Sequence, residues 1–175
     1  DWLKREGRGR PVLAGYGISA SLLAYARTPT LLHPKFETAG VRRKTAAYLQ
    51  ALFGGEEELF RFCRDHGAGL LVHGADAILD DTPDGPRYAS GALGLRADAA
   101  AVLLHFHPEL LRRFRLVHQN RDFRVFEVGA PPSGEPPYEP VYDIGQYKPR
   151  TAPDGTLSLD AAGGNERIRA GASLI

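Results

Sequence analysis

The stretch PVLAGYGISASLLAYARTPTLLHPKFETAG, at positions 11–40, carries the residues best spaced for chemistry. Within it, Gly15-Tyr16-Gly17-Ile18-Ser19-Ala20 reads G-x-G-x-x-A at the entry to a helical pattern. That spacing can serve a dinucleotide, because glycines let the backbone approach a pyrophosphate at a helix N-terminus. The same use requires an acid at the end of the second strand to hold the ribose. Here the second strand ends in His33-Pro34, and Glu37 lies beyond the proline. The crossover helix has only about two and a half turns, and a helical segment precedes the first strand. These features favour a glycine-eased strand-to-helix turn over a dinucleotide site. The first-turn N–H groups remain able to take an anion or a polar group of a neighbouring chain segment.

The other reactive side chains do not assemble a catalytic set. His105 and His107 form an H-x-H pair, but on a helix that spacing turns the two rings roughly 200° apart. No C-x-x-C, H-x-x-x-H or clustered carboxylate joins them, so no metal site is assigned. His33 and His73 end two strands expected to be adjacent, at the edge where open α/β sheets place ligands. Asp80 and Asp81 lie among turn-forming residues, and turn formation accounts for them. Ser19, in G-Y-G-I-S-A-S, lacks the G-x-S-x-G setting of a nucleophile elbow; Ser19 and Ser21 suit the start of a helix. Cys63 sits on the apolar face of its helix and reads as packing. No residue is assigned as catalytic, and no cofactor is assigned.

The elements that must position these residues alternate along the chain. Trp2 to Arg5 is the end of a helix closed by Gly7 and Gly9, and Val12-Leu13-Ala14 is a short buried strand. Ser19–Arg27 is helical, and Thr30-Leu31-Leu32-His33 is a second strand stopped by Pro34. Positions 41, 45, 48, 49 and 52, Thr45 among four apolar residues, give one stripe on a helix over 41–53. Glu56–His66 is a helix with acids at its start and Gly67 as its C-cap. Leu70-Leu71-Val72-His73 has the unbroken apolar run of a strand covered on both faces. Residues 80–86 form a surface loop, and 97–106 a helix that Pro108 interrupts. The stretches FRLVHQN and DFRVFEV flank a turn near Asn120-Arg121 as an antiparallel hairpin. The order predicts a three-layer α/β sandwich with a short mixed sheet and a C-terminal β-hairpin.

Composition sets the boundaries. The 175 residues suffice for one sizeable core, and a net charge of +1 with both signs interspersed gives no footprint for nucleic acid. One cysteine excludes an intrachain disulfide framework. No apolar run approaches the ~18 residues of a membrane span. The chain opens on Asp1 and holds no methionine, so the expectation is a processed or excised piece of a longer protein. From about Gly129 the composition shifts to APPSGEPPYEP and then stays polar. This divides the chain into a globular domain over 1–129 and a linker or tail over 130–175.

Several segments in order carry a resemblance. They are Trp2-Leu3-Lys4, VLAGYGISASLLAYARTPTLLHPKFE, VRRKTAAYLQALF, EEELFRFCRDHGAGLLVH and RFRLVHQNRDFRVFEV, covering roughly residues 2–129. Together they resemble the soluble C-terminal domain of polytopic, lipid-linked-sugar-using membrane glycosyltransferases. That class includes oligosaccharyltransferase catalytic subunits and protein mannosyltransferase relatives. The resemblance implies a non-catalytic domain on the extracytoplasmic side of a bacterial membrane. Its partners would be the transmembrane part of the same polypeptide and a protein or glycan acceptor. Gly15, Tyr16, Gly17, His33, Lys35 and Phe36 would form the surface facing them. Oligosaccharyltransferases carry a W-W-D-Y-G string in the first strand-to-helix region, where Ala14-Gly15-Tyr16-Gly17 keeps only Tyr-Gly, so recognition of an acceptor sequon is not carried over. The class's catalytic carboxylates belong to loops of the membrane part. Two alternatives stay open: a stand-alone α/β enzyme or nucleotide-binding module using the Gly15-Tyr16-Gly17 turn, and an interaction domain leading into a helical array.

Overall fold

A computed structural model describes residues 2–7, 9–32, 38–74, 76–80, 82–92, 94–120, 122–129, 147–151, 153 and 156–161. Helix α1 (Trp2–Glu6) leads to strand β1 (Val12–Ala14) and helix α2 (Tyr16–Ser21), which widens into a π-helical turn over Leu22–Ala26. Helices α3 (Ala39–Phe53) and α4 (Glu56–Asp65) follow, then strand β2 (Leu70–Gly74). Two short helices, α5 (Asp76–Leu79) and α6 (Pro86–Ser90), precede β3 (Leu95–Arg96), α7 (Ala100–Phe106) and the hairpin β4 (Phe114–Gln119) and β5 (Phe123–Val128). Strands β6 (Tyr147–Thr151) and β7 (Thr156–Ala161) come last.

The main sheet has the order β1-β2-β5-β4. β1 and β2 are parallel, while β5 is antiparallel to both β2 and β4. Alternation along the strands splits the core in two. Leu13, Leu71, Phe114 and Phe126 face one side and pack with α3, α4 and α7. Val12, Leu70, Val72 and Val125 face the other and pack with Trp2, Leu3, Ile18 and Leu22 of α1, α2 and the π turn. Helices thus cover both faces of a mixed sheet, which makes the three layers.

Local chemistry explains the boundaries. The Thr38 side chain accepts a hydrogen bond from Val41 N at 3.3 Å and caps α3. Three glutamates occupy the first turn of α4, and Gly67, just beyond its C-terminal end, takes φ +72°. The hairpin turn is held by Asn120, whose Oδ1 accepts from Asp122 N and Phe123 N at 2.9 and 2.7 Å.

Three expectations need correction. The second strand reduces to a single parallel bridge between Thr30 and Val12, because the chain bends at Leu31 and buries Leu32 in the core. The 80–86 loop closes into α6 at Pro86, whose fixed φ and missing N–H suit a first helical position. The helix expected from residue 97 starts at Ala100, after a turn at 97–98. In addition, β6 and β7 pair with each other, and β7 pairs with β3 at Leu95↔Leu157 and Arg96↔Thr156, giving a second small sheet.

Candidate functional site

At the turn after β1, Gly15 is the N-cap of α2 with φ −56° and ψ 153°. Its carbonyl accepts from Ile18 N, Ser19 N and Ser19 Oγ at 3.1, 3.2 and 3.1 Å. Ser19 is fully buried, so its hydroxyl secures the turn and is not presented to a substrate. Neither Gly15 nor Gly17 has a positive φ, and a Cβ on either would meet no protein atom within 4 Å. No strain or protein packing therefore demands glycine at these two positions. α2 opens at Tyr16, and Gly17 is exposed. His33, Lys35 and Phe36 lie outside the described residues.

The continuation of α2 is unusual. Its backbone widens to π geometry over Leu22–Ala26 and stops at Arg27, which has φ +53°. Among the described residues, Arg27 is the one non-glycine residue with positive φ. Such a turn and such a residue each cost free energy and concentrate at functional sites.

This segment forms one wall of an open groove of about 420 Å³. Ile18 and Leu22 on the wall meet Val72 and Val125 on the sheet, giving an apolar floor. Trp2 and His118 stand at its edge, with ring centroids 5.1 Å apart and planes within 3° of parallel. His118 reaches this face because of a β-bulge. The register of β4 on β5 slips between Leu116 and His118, so that His118 pairs with Val125. Without the extra residue, strict alternation would turn the imidazole to the opposite layer with Phe114 and Leu116. Partial burial, reinforced by nearby cationic charge including Arg5, lowers the His118 pKa. Gly17 also lines this groove, so one of the residues singled out in the sequence belongs to it.

On the other side of the sheet lies a buried polar cluster. His73 Nε2 and His105 Nδ1 are 3.4 Å apart, and Arg124 joins them from β5. Arg124 Nη1 donates to Leu104 O at 2.9 Å and also to His105 O, closing the C-terminal end of α7. Burial, with the Arg124 charge adding to it, pushes the His73 pKa down to about 3. His105 is lowered well below its ordinary value, first by burial and then by His73 and Arg124. With all three side chains 0–1% exposed, the cluster secures packing and does not meet a solute.

The sequence placed His73 at a strand edge beside His33. The structure instead sets β1 between β2 and the Thr30 bridge, so those two segments are not neighbours. His105 and His107 face different surroundings, His105 in the core and His107 half-exposed beside Glu109 at 3.3 Å. Asp80 Oδ1 accepts from Thr82 N and Oγ1 at 3.0 and 2.6 Å, a turn-forming role, while Asp81 lies outside the described residues. Cys63 is buried, which raises its thiol pKa to about 12 and keeps it protonated. Among the described residues no group of three His, Cys, Asp or Glu side chains could hold a metal ion. Arg124 was missed in the sequence, although alternation with Phe126 and Val128 puts it on the core face of β5.

No described helix is long and apolar enough to cross a membrane. No protein-family model matches the chain, and no curated protein matches it by sequence. The crystal structure of the C-terminal globular domain of an oligosaccharyltransferase from Archaeoglobus fulgidus does match it, with a TM-score of 0.54 and 14% identity. The match covers 73% of this chain and 92% of that domain. In fold, this chain resembles the C-terminal globular domain of an archaeal oligosaccharyltransferase.

Proposed function

We propose that this chain is a non-catalytic, extracytoplasmic accessory domain of a larger bacterial membrane protein of the glycosyltransferase kind. The observation that carries this reading is the extent of the fold match, which takes in 92% of the oligosaccharyltransferase domain. The local chemistry supports it. The buried histidines, Arg124, Ser19 and Cys63 each have a structural role, and among the described residues the segment after the Gly15 turn makes a single bridge to β1 at Thr30. On this reading Gly15, Tyr16, Gly17, His33, Lys35 and Phe36 belong to the surface that faces the membrane part of the same polypeptide or a protein or glycan acceptor.

The test is to read the whole open reading frame and to assay the 175 residues alone. Several apolar spans of membrane length upstream of Asp1 are expected, together with no sugar transfer by the isolated chain. A frame without such spans would remove the membrane reading. Transfer by the isolated chain would remove the accessory role and favour a stand-alone enzyme.

A further inference from the structure

The groove beside the π turn combines features that packing alone does not account for. Its floor is apolar, formed by Ile18, Leu22, Val72 and Val125, yet it stays open to solvent. Tyr25 also lines it and is 81% exposed. The wall that shapes it holds both departures from ordinary backbone, the π turn over Leu22–Ala26 and the left-handed Arg27. The β4 bulge adds a third, by turning His118 to the groove edge against Trp2.

Charge restricts what can fill it. Among the described lining residues Lys4 is the one lysine or arginine, and none is a carboxylate. Lys4 lines the groove from the last turn of α1, and Arg5 and Glu6 are not among its lining residues. Asn120 and Ser21 add polar groups at the rim. A concave apolar floor of this size with a few polar groups in its lining is the usual form of a small-molecule site. An anionic head would be drawn to Lys4.

We propose that this groove binds a small amphipathic anion, its apolar body seated on Ile18, Leu22, Val72 and Val125 and its acid head at Lys4. The site is independent of whether the chain belongs to a membrane glycosyltransferase, since it rests on the groove alone.

The chain's one tryptophan, Trp2, stands at the groove and reports on it directly. The probe is 8-anilinonaphthalene-1-sulfonate, titrated into the 175-residue chain with emission excited through the tryptophan. Saturable binding of one probe per chain is expected, with energy transfer from Trp2 and amide shifts at Ile18, Leu22 and Tyr25. Lys4→Glu, an exposed change that leaves the core intact, should weaken binding about tenfold. Leu22→Gln should weaken it as well, with the fold checked by circular dichroism. An uncharged anilinonaphthalene should bind more weakly than the sulfonate. Unchanged affinity in Lys4→Glu, equal binding of the uncharged probe, or shifts confined to other surfaces would overturn the proposal. So would a dimer whose second copy covers Leu22 and Tyr25.

Discussion

Arg124 on β5 donates to the main-chain oxygen of Leu104 at 2.9 Å, and the same nitrogen reaches the carbonyl of His105. A side chain of the sheet thereby satisfies carbonyls that α7 cannot satisfy within itself. The guanidinium also lies at the negative end of the helix dipole. This contact ties the hairpin to the helical layer through a group that is fully buried.

Arg124→Ala should therefore destabilise the fold by about 3–5 kcal/mol, since it leaves buried carbonyls without a donor and opens a cavity. Arg124→Lys should cost less, because it keeps the charge and loses the planar fork. Urea unfolding at neutral pH measures both. An alanine variant as stable as the parent would show that α7 does not depend on this contact.

The two buried histidines make stability depend on pH in a defined window. His73 falls to about 3 by burial and the nearby Arg124 charge, and His105 is lowered in the same direction. Between those values and the unfolded value of about 6.5, the unfolded chain binds protons that the native chain refuses. Their contribution is complete above about pH 6.5 and is lost as pH falls below it. At pH 5 the limiting loss from His73 is about 2 kcal/mol, and His105 adds to it in the same direction. Urea midpoints between pH 7.5 and 5 should fall accordingly, above the range where most carboxylates titrate. His105→Gln should flatten that slope; an equally steep slope in the variant would assign the effect to other groups.

Leu71 sits at the middle of β2, fully buried, paired with Leu13 of β1 and Phe126 of β5. All three belong to the larger core cluster. Leu71→Ala should cost about 2–5 kcal/mol. A variant that melts like the parent would mean that this strand is peripheral to the core.

These positions also show what the sequence makes legible. The run Leu70 to Val72 announces a doubly covered strand that the structure buries. Of the stripe at 41, 45, 48, 49 and 52 that announces α3, it buries Thr45, Tyr48 and Leu52, with Val41 and Leu49 partly exposed. Long-range pairing is harder to read. Nothing local to Thr30–Leu32 reveals that Leu32 is worth more in the core than in a strand. The bulge in β4 is equally hidden, because FRLVHQN alternates well enough to put His118 on the wrong face. Of the residues the sequence singled out at this turn, Gly17 lines the groove. The rest of the groove comes from Trp2, Val72, His118 and Phe123, which are far apart in sequence and meet only through the sheet order.

The last prediction tests the domain boundary expected near Gly129. Both hydrophobic clusters are built from residues between Trp2 and Val128, so a chain ending at Gly129 keeps every described core contact. It loses the pairing of Leu95 and Arg96 with Leu157 and Thr156 on β7. Two ladder residues lose their hydrogen-bond partners, each bond worth about 0.5–1.5 kcal/mol, and Leu95 gains some exposure. The truncated chain should therefore fold cooperatively, less stable by about 1–3 kcal/mol. Amide shifts relative to the full chain should concentrate at residues 94–97, where β3 loses its neighbour. A truncated chain with no cooperative urea transition would show that residues 130–175 supply part of the core. In that case the domain extends well beyond Gly129, and the proline-rich stretch would be a connection inside it, not a linker leaving it.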